Sequence, residues 1–331
     1  MARTHIRPIR EEDADRVRRI LQVAFVDEYR RMGQKNSRIP TMTDRLLAFY
    51  LGRAPRYSFA AERRGGLIGF CLACRWGSTA WMGPVAVLPP AQGEGVGKRL
   101  VEASTAELRE NGVITLGVET MPRSYRSLQF YSSLGMNFAC LTLDMSRTFR
   151  RKNHVKASTE LIDDMEIRTL GAMSRQERVQ AEGSVAEISD AVSPGLDYRS
   201  EVKATLHHGL GETILAYWKD RLAGFAVVHT EPYAKEEIPG TVRVNILLLR
   251  SLEEEAPGVD RLFEGMIVLV EQWIGKEGYD AAIVRVPVRY VGVRDCLLRR
   301  GYSISHSDVR MTYADMAEAD RPGTVHLSKW E

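Results

Sequence analysis

The chain is poor in cysteine: Cys71, Cys74, Cys140 and Cys296 are the four in 331 residues. So few exclude a disulfide-built scaffold. Cys71 and Cys74 form a C-x-x-C, but no second pair or matching histidines follow. The motif lies in 67–75, which reads as a strand, so alternation sends the two thiols to opposite faces. They are read as buried apolar residues, and no metal site is expected. Long apolar runs are also missing, and none is long enough to span a bilayer. Met1-Ala2-Arg3-Thr4-His5-Ile6 lacks the apolar core of a signal peptide. A cytoplasmic protein without a membrane partner is the expectation. Nor is there an excess of one charge: 46 Lys and Arg stand against 43 Asp and Glu, a net charge of +3. That balance argues against nucleic acid as a bulk partner.

The length is enough for about two domains, and the pattern of elements occurs twice. In the first half, strands are predicted over 4–9, 58–62, 67–75, 80–88, 113–119 and 137–146. Helices are predicted over 11–26, 43–51, 97–110 and 123–134. Thr43 is a candidate cap, and Arg63-Arg64-Gly65-Gly66 supplies a turn. In the second half, strands over 165–170, 213–218, 222–230, 241–250, 281–286 and 305–313 alternate with helices over 175–188, 259–276 and 293–300. Short matches recur at a near-constant offset: Leu67-x-Gly69-Phe70 with Leu222-x-Gly224-Phe225, and Ile6-Arg7 with Ile167-Arg168. The period is too long for a solenoid and fits a duplicated domain. The fold class expected is α/β (α+β): two tandem domains, each a mixed, mostly antiparallel sheet flanked by helices. The divisions expected are 1–147, a linker over 148–164 with the solvated cluster Arg150-Arg151-Lys152, 165–315, and a C-terminal tail over 316–331.

The chemistry concentrates in Val85-Ala86-Val87-Leu88-Pro89-Pro90-Ala91-Gln92-Gly93-Glu94-Gly95-Val96-Gly97-Lys98. A strand runs into a glycine-rich loop and directly into a helix. Such a loop aims backbone N–H groups at one anion, and the helix N-terminus adds unpaired N–H groups and a positive dipole end. A pyrophosphate is the natural ligand. A P-loop requires Ser or Thr after its lysine, where this chain has Arg99. A dinucleotide fingerprint requires G-x-G-x-x-G, whereas Gly93, Gly95 and Gly97 alternate. Gly83-Pro84 inside the preceding strand predicts a bulge or splay.

What fits is Gln92-x-x-Gly95-x-Gly97 after Val85-x-Val87-x-Pro89, with Ser124-x-x-Ser127-x-x-Phe130-Tyr131-x-x-Leu134-Gly135-Met136 downstream. Here the chain resembles the GNAT superfamily of acyl-CoA N-acyltransferases, over about residues 4–147. Ser124 stands for the family's Asn, Ser127 for Ala and Met136 for Phe. The resemblance implies acetyl-CoA as cosubstrate. Gln92, Gly93, Glu94, Gly95, Val96, Gly97 and Lys98 would hold the pyrophosphate. Backbone groups of Val85 and Val87 would meet the pantetheine arm, with Ser124 beside it and the Val87 N–H as oxyanion donor. Tyr131 aligns with the tyrosine that protonates the departing thiolate. Glu119, closing a strand beside the acetyl site, is the candidate base, with a substrate-binding carboxylate as the other reading. Glu28 and Tyr29, after the first helix, are candidate acceptor contacts. The activity implied is acetyl transfer to a primary amine of a small molecule or peptide. A non-catalytic acyl-CoA-binding regulatory protein is the alternative.

The second half has lost these features. Glu254, Pro257 and Val259 stand where Gln92, Gly95 and Gly97 stand in the first, and Leu297 replaces Tyr131. Carboxylates at Glu253-Glu254-Glu255 repel a pyrophosphate, and Pro257 removes an N–H. This half is expected to keep the architecture, bind no acyl-CoA, and serve as structure or as one wall of the acceptor cleft. His207 and His208 are expected to face apart on a helix.

Overall fold

The computed structural model of the chain describes residues 3–34, 42–53, 55–149, 164–231, 240–252 and 257–329. The first half runs β1 (His5–Pro8), α1 (Ala14–Arg31), α2 (Asp44–Arg53), β2 (Phe59–Arg63), β3 (Gly66–Trp76), β4 (Thr79–Val87), α3 (Val96–Glu110), β5 (Thr115–Thr120), α4 (Tyr125–Ser133) and β6 (Met136–Thr148). The second runs β7 (Met165–Thr169), α5 (Arg175–Val192), α6 (Arg199–His207), β8 (Gly211–Trp218), β9 (Arg221–His229), β10 (Thr241–Arg250), α7 (Val259–Lys276), β11 (Ala281–Pro287), α8 (Val291–Arg299), β12 (Ser303–Tyr313) and β13 (Thr324–Ser328). The doubled order is present: α6, which the sequence pattern did not show, is the counterpart of α2, and β13 is an addition. Local chemistry explains several boundaries. Thr43 Oγ accepts from the Leu46 N–H at 3.3 Å and caps α2. Ser174 and Glu177 form a capping box on α5. Arg64 and Gly65, at φ 51° and 73°, make the β2–β3 turn.

All the strands join one sheet in the order β1-β2-β3-β4-β5-β12-β6-β11-β10-β9-β8-β7, with β13 added on β10. The two halves exchange their late strands: β12 lies between β5 and β6, and β6 pairs with β11. Three apolar clusters follow from strand alternation. On one face, α1 and α2 share a continuous core with α5 and α6 of the other half, including Leu47, Trp76, Val185, Tyr198 and Phe225. On the opposite face each half has its own core, under α3 in the first and α7 in the second. Cys74 belongs to the shared core and Cys71 to the one under α3, so the two thiols do face apart.

Of the expected C-terminal tail, the described residues 316–329 are not a plain tail. Within them β13 pairs antiparallel with β10, from Ile246↔Ser328 to Arg250↔Thr324, and buries Val325, His326 and Leu327. Four consecutive buried residues, Val325 to Ser328, show no alternation, so the strand does not stand out in the sequence. His207 and His208 close α6 with their rings edge to face at 5.0 Å rather than apart. Among the described residues no cluster of His, Cys, Asp or Glu could hold a metal, and no helix is long and apolar enough to cross a membrane. Residues 150–163 of the expected linker and the carboxylates at 253–255 lie outside the described residues.

Candidate active site

Strand β4 pairs with β5 in parallel only from Thr79↔Thr115 to Trp81↔Gly117. There the strands part. Gly117 permits the Trp81 ring to lie across β5, since a Cβ on Gly117 would sit 2.4 Å from that ring. Against β3 the register slips between Cys71↔Val85 and Ala73↔Met82, a bulge at Gly83-Pro84. Beyond it, no strand among the described residues pairs with 82–87 on the β5 side. A cavity of about 600 Å³ opens in this gap.

The glycine loop forms one mouth of the cavity. Gly93 and Gly95 are left-handed, at φ 81° and 77°. A side chain in that region costs about 1–2 kcal/mol per residue. The first α3 ladder bond runs from the Arg99 N–H to Gly95 O at 3.1 Å, which leaves the N–H groups of Val96, Gly97 and Lys98 outside the ladder. The Gln92 side chain shapes the loop: Nε2 donates to Val87 O at 2.9 Å, and Oε1 accepts from Arg126 at 3.1 Å. Glu94 does not line the cavity; its carboxylate turns to Arg63 at 2.5 Å.

Val85, Val87 and Tyr131 line the gap. Burial pushes the Tyr131 phenol up, so it stays protonated at neutral pH. Nearby Cys71 is pushed by burial up to about 12, which makes it inert as a nucleophile. Ser124 is buried and does not line the cavity, which argues against the expected pantetheine contact. Ser124 caps α4 and donates to Glu28 Oε1 at 2.5 Å. Ser127, one turn on, lines the cavity instead. The first helix is longer than expected, so Glu28 and Tyr29 lie in its last turns rather than after it. Both line the cavity, beside an apolar wall that includes Phe25, Leu46 and Tyr50.

Glu119 reaches the cavity, but its surroundings argue against the base role. Oε2 accepts from Arg285 at 2.5 Å and Oε1 from Arg310 at 2.6 Å, and its side chain is 0% exposed. A carboxylate with each oxygen held by a guanidinium is a poor acceptor for a substrate proton. Arg285 also binds Asp144 at 2.7 Å and Asp308 at 2.8 Å, and Arg310 binds Glu318 at 2.8 Å. Burial raises Asp144, but the charges of Arg285, Lys329 and Arg243 outweigh it and hold the carboxyl below its ordinary range.

The far wall comes from the second half of the chain: His306 and Asp308 of β12, and Lys329 after β13. Sequence reading did not single these out. The pattern His306-x-Asp308 within a predicted strand was the available signal, since residues two apart share a face.

In the second half, β10 and β11 also part after a short parallel run, Thr241↔Ala281 to Val244↔Val284. The corresponding gap is filled by β13, which takes the edge of β10 from Ile246 to Arg250.

The profile of the acetyltransferase (GNAT) family matches residues 14–136. The chain contains a GNAT acetyltransferase domain. That family implies acyl-CoA-dependent acetyl transfer. Solved structures share the fold along almost the whole chain. One is the glucosamine N-acetyltransferase region of a fungal multi-domain GH3 β-N-acetylglucosaminidase, 16% identical with a TM-score of 0.65, over 95% of this chain and 38% of that one. Another is a GCN5-related N-acetyltransferase from Sphaerobacter thermophilus, 14% identical with a TM-score of 0.60, over 97% and 96%. A third is a tandem GNAT protein from the clavulanic acid biosynthesis pathway, 14% identical with a TM-score of 0.56, over 96% and 98%. No curated protein gives a significant match. The two halves, joined in one sheet, thus share the overall fold of these solved structures, one of them a tandem GNAT protein.

Proposed function

We propose that the chain transfers the acetyl group of acetyl-CoA directly to a primary amine of a small molecule or peptide. The observation that carries this reading is the cavity itself. It joins a splayed strand edge and an anion-binding loop at one mouth to a separate, partly apolar and partly charged wall at the other. When bound, acetyl-CoA supplies an activated carbonyl and a thiolate leaving group. The residues present fit it: Gly93 and Gly95 keep side chains out of the loop, and the N–H groups of Val96, Gly97 and Lys98 suit a pyrophosphate. The freed edge at Val85 and Val87 suits the pantetheine amides. The Val87 N–H is the oxyanion donor in this reading, and Tyr131 gives the proton to sulfur. Glu28 and Tyr29 hold the acceptor. The second half binds no acyl-CoA, because β13 lies in the gap where the arm would run. Its role is to complete the acceptor wall.

Calorimetric titration of the full chain with acetyl-CoA tests this, beside the double variant Gly95→Glu, Gly97→Glu. One site per chain, lost in the variant, is expected. Two sites would contradict the occluded second half. Binding without turnover on any amine would favour a regulatory acyl-CoA-binding protein.

A further inference from the structure

We propose that His306, held by Asp308, is the base that takes the proton from the acceptor amine, so that the second half of the chain supplies a catalytic group to the first half's cavity. This rests on the transferase reading above.

Among the carboxylates of the cavity, each is already committed. Glu119 is held by two guanidiniums, Asp308 is 1% exposed and bound to Arg285, and Glu28 accepts from Ser124 and lies 4.0 Å from Arg126. His306 differs. Its side chain is 48% exposed, it lines the cavity, and Nε2 lies 3.2 Å from Asp308 Oδ1. A carboxylate at Nε2 favours the tautomer with its proton there and leaves the lone pair on Nδ1. The backbone supports this placement. Between Ile304↔Met145 and His306↔Asp144 the β12–β6 register slips by one residue, a bulge at Ser305. Ser305 Oγ pins it by donating to Asp144 O at 3.1 Å. Bulges beside active sites re-aim a side chain, and here the strand after the bulge presents His306 and Asp308 to the same cavity.

The charged groups that act on the imidazole are Asp308 on β12, Asp144 on β6 and Arg285 on β11; behind them, Glu119 on β5 pairs with Arg285, Arg243 on β10 pairs with Asp144, and Lys329 acts on Asp144. The hydrogen bond to Asp308 raises the His306 pKa above its ordinary value; burial and Arg285 oppose it. His306 Nδ1 takes one proton from the nitrogen as the N–C bond forms. Tyr131 gives one proton to the sulfur as the C–S bond breaks. The exposed imidazolium returns its proton to solvent, and the Tyr131 phenolate takes one back.

The test measures thiol release from acetyl-CoA with an alkylamine, glucosamine and a short peptide bearing a free N-terminus, for the wild type, His306→Gln and His306→Ala. General-base loss should lower kcat by about 100-fold or more, with acetyl-CoA affinity unchanged. In the wild type, kcat/KM should fall as pH drops through the raised His306 pKa, because the base acts only when neutral. That limb should vanish in His306→Gln, and added imidazole should restore part of the rate in His306→Ala. Turnover and pH limb unchanged in His306→Gln would overturn the assignment alone. Wild type that binds acetyl-CoA but acetylates none of the amines would remove the transferase reading and the base with it. Wild type that binds no acetyl-CoA would do the same at an earlier step.

Discussion

Glu119→Gln keeps the side-chain shape and one carbonyl acceptor but removes a charge from between Arg285 and Arg310, all three side chains being 2% exposed or less. Breaking a buried pair by removing one partner costs about 3–5 kcal/mol, because the other charge stays buried. The low end applies here. Arg285 keeps Asp144 and Asp308, and Arg310 keeps Glu318 and the Ser328 carbonyl. The expected loss is about 3 kcal/mol. An unfolding entropy of about 2.1 cal/mol/K per residue, over 331 residues, amounts to about 0.7 kcal/mol/K, so Tm should drop by about 4 °C. Differential scanning calorimetry of both proteins at neutral pH measures this. Glu119 would be the base after all, and the clamp argument wrong, if Tm stayed put while turnover fell about 100-fold.

Tyr131→Phe should lower kcat with little change in acetyl-CoA affinity, read by thiol release and calorimetry; equal turnover would remove the acid role. Acid should destabilise the fold through Asp144 and Asp320. In each, burial raises the carboxyl, but neighbouring positive charge outweighs it and holds it below its ordinary value. A depressed folded pKa gives stabilisation that is full above the unfolded pKa of about 3.9 and lost as pH falls toward the folded one. Urea midpoints should therefore fall steeply below about pH 4 in the wild type, and less steeply in Asp320→Asn.

The glycine loop and the splayed strand before it were legible in the sequence because their signals are local. Glycine spacing between Gly93 and Gly97, the helix start at Val96 and the Gly83-Pro84 irregularity each act over a few residues. The doubled order was legible for the same reason, as hydrophobic period changes from element to element. The environment of Glu119 was not: its guanidinium partners are 166 and 191 residues away, and no periodicity reports such a pairing. Nor was the exchange of β6 and β12. The two strands hold equivalent places in a duplicated chain, so local pattern cannot say which of them closes which half. His306 was obscured for the same reason, since it reaches the cavity only through that exchange.

The exchange also sets an order in time. As the chain is synthesised, β5 and β6 emerge well before Ser303–Tyr313, the segment that will lie between them. Until then both carry an unpaired edge, the kind of surface that invites misassembly during synthesis. The far wall of the cavity is thus among the last parts of the molecule to form, and a nascent or prematurely terminated chain would carry the glycine loop without His306 or Asp308. Completion of the polypeptide is itself a condition for assembling the whole cavity.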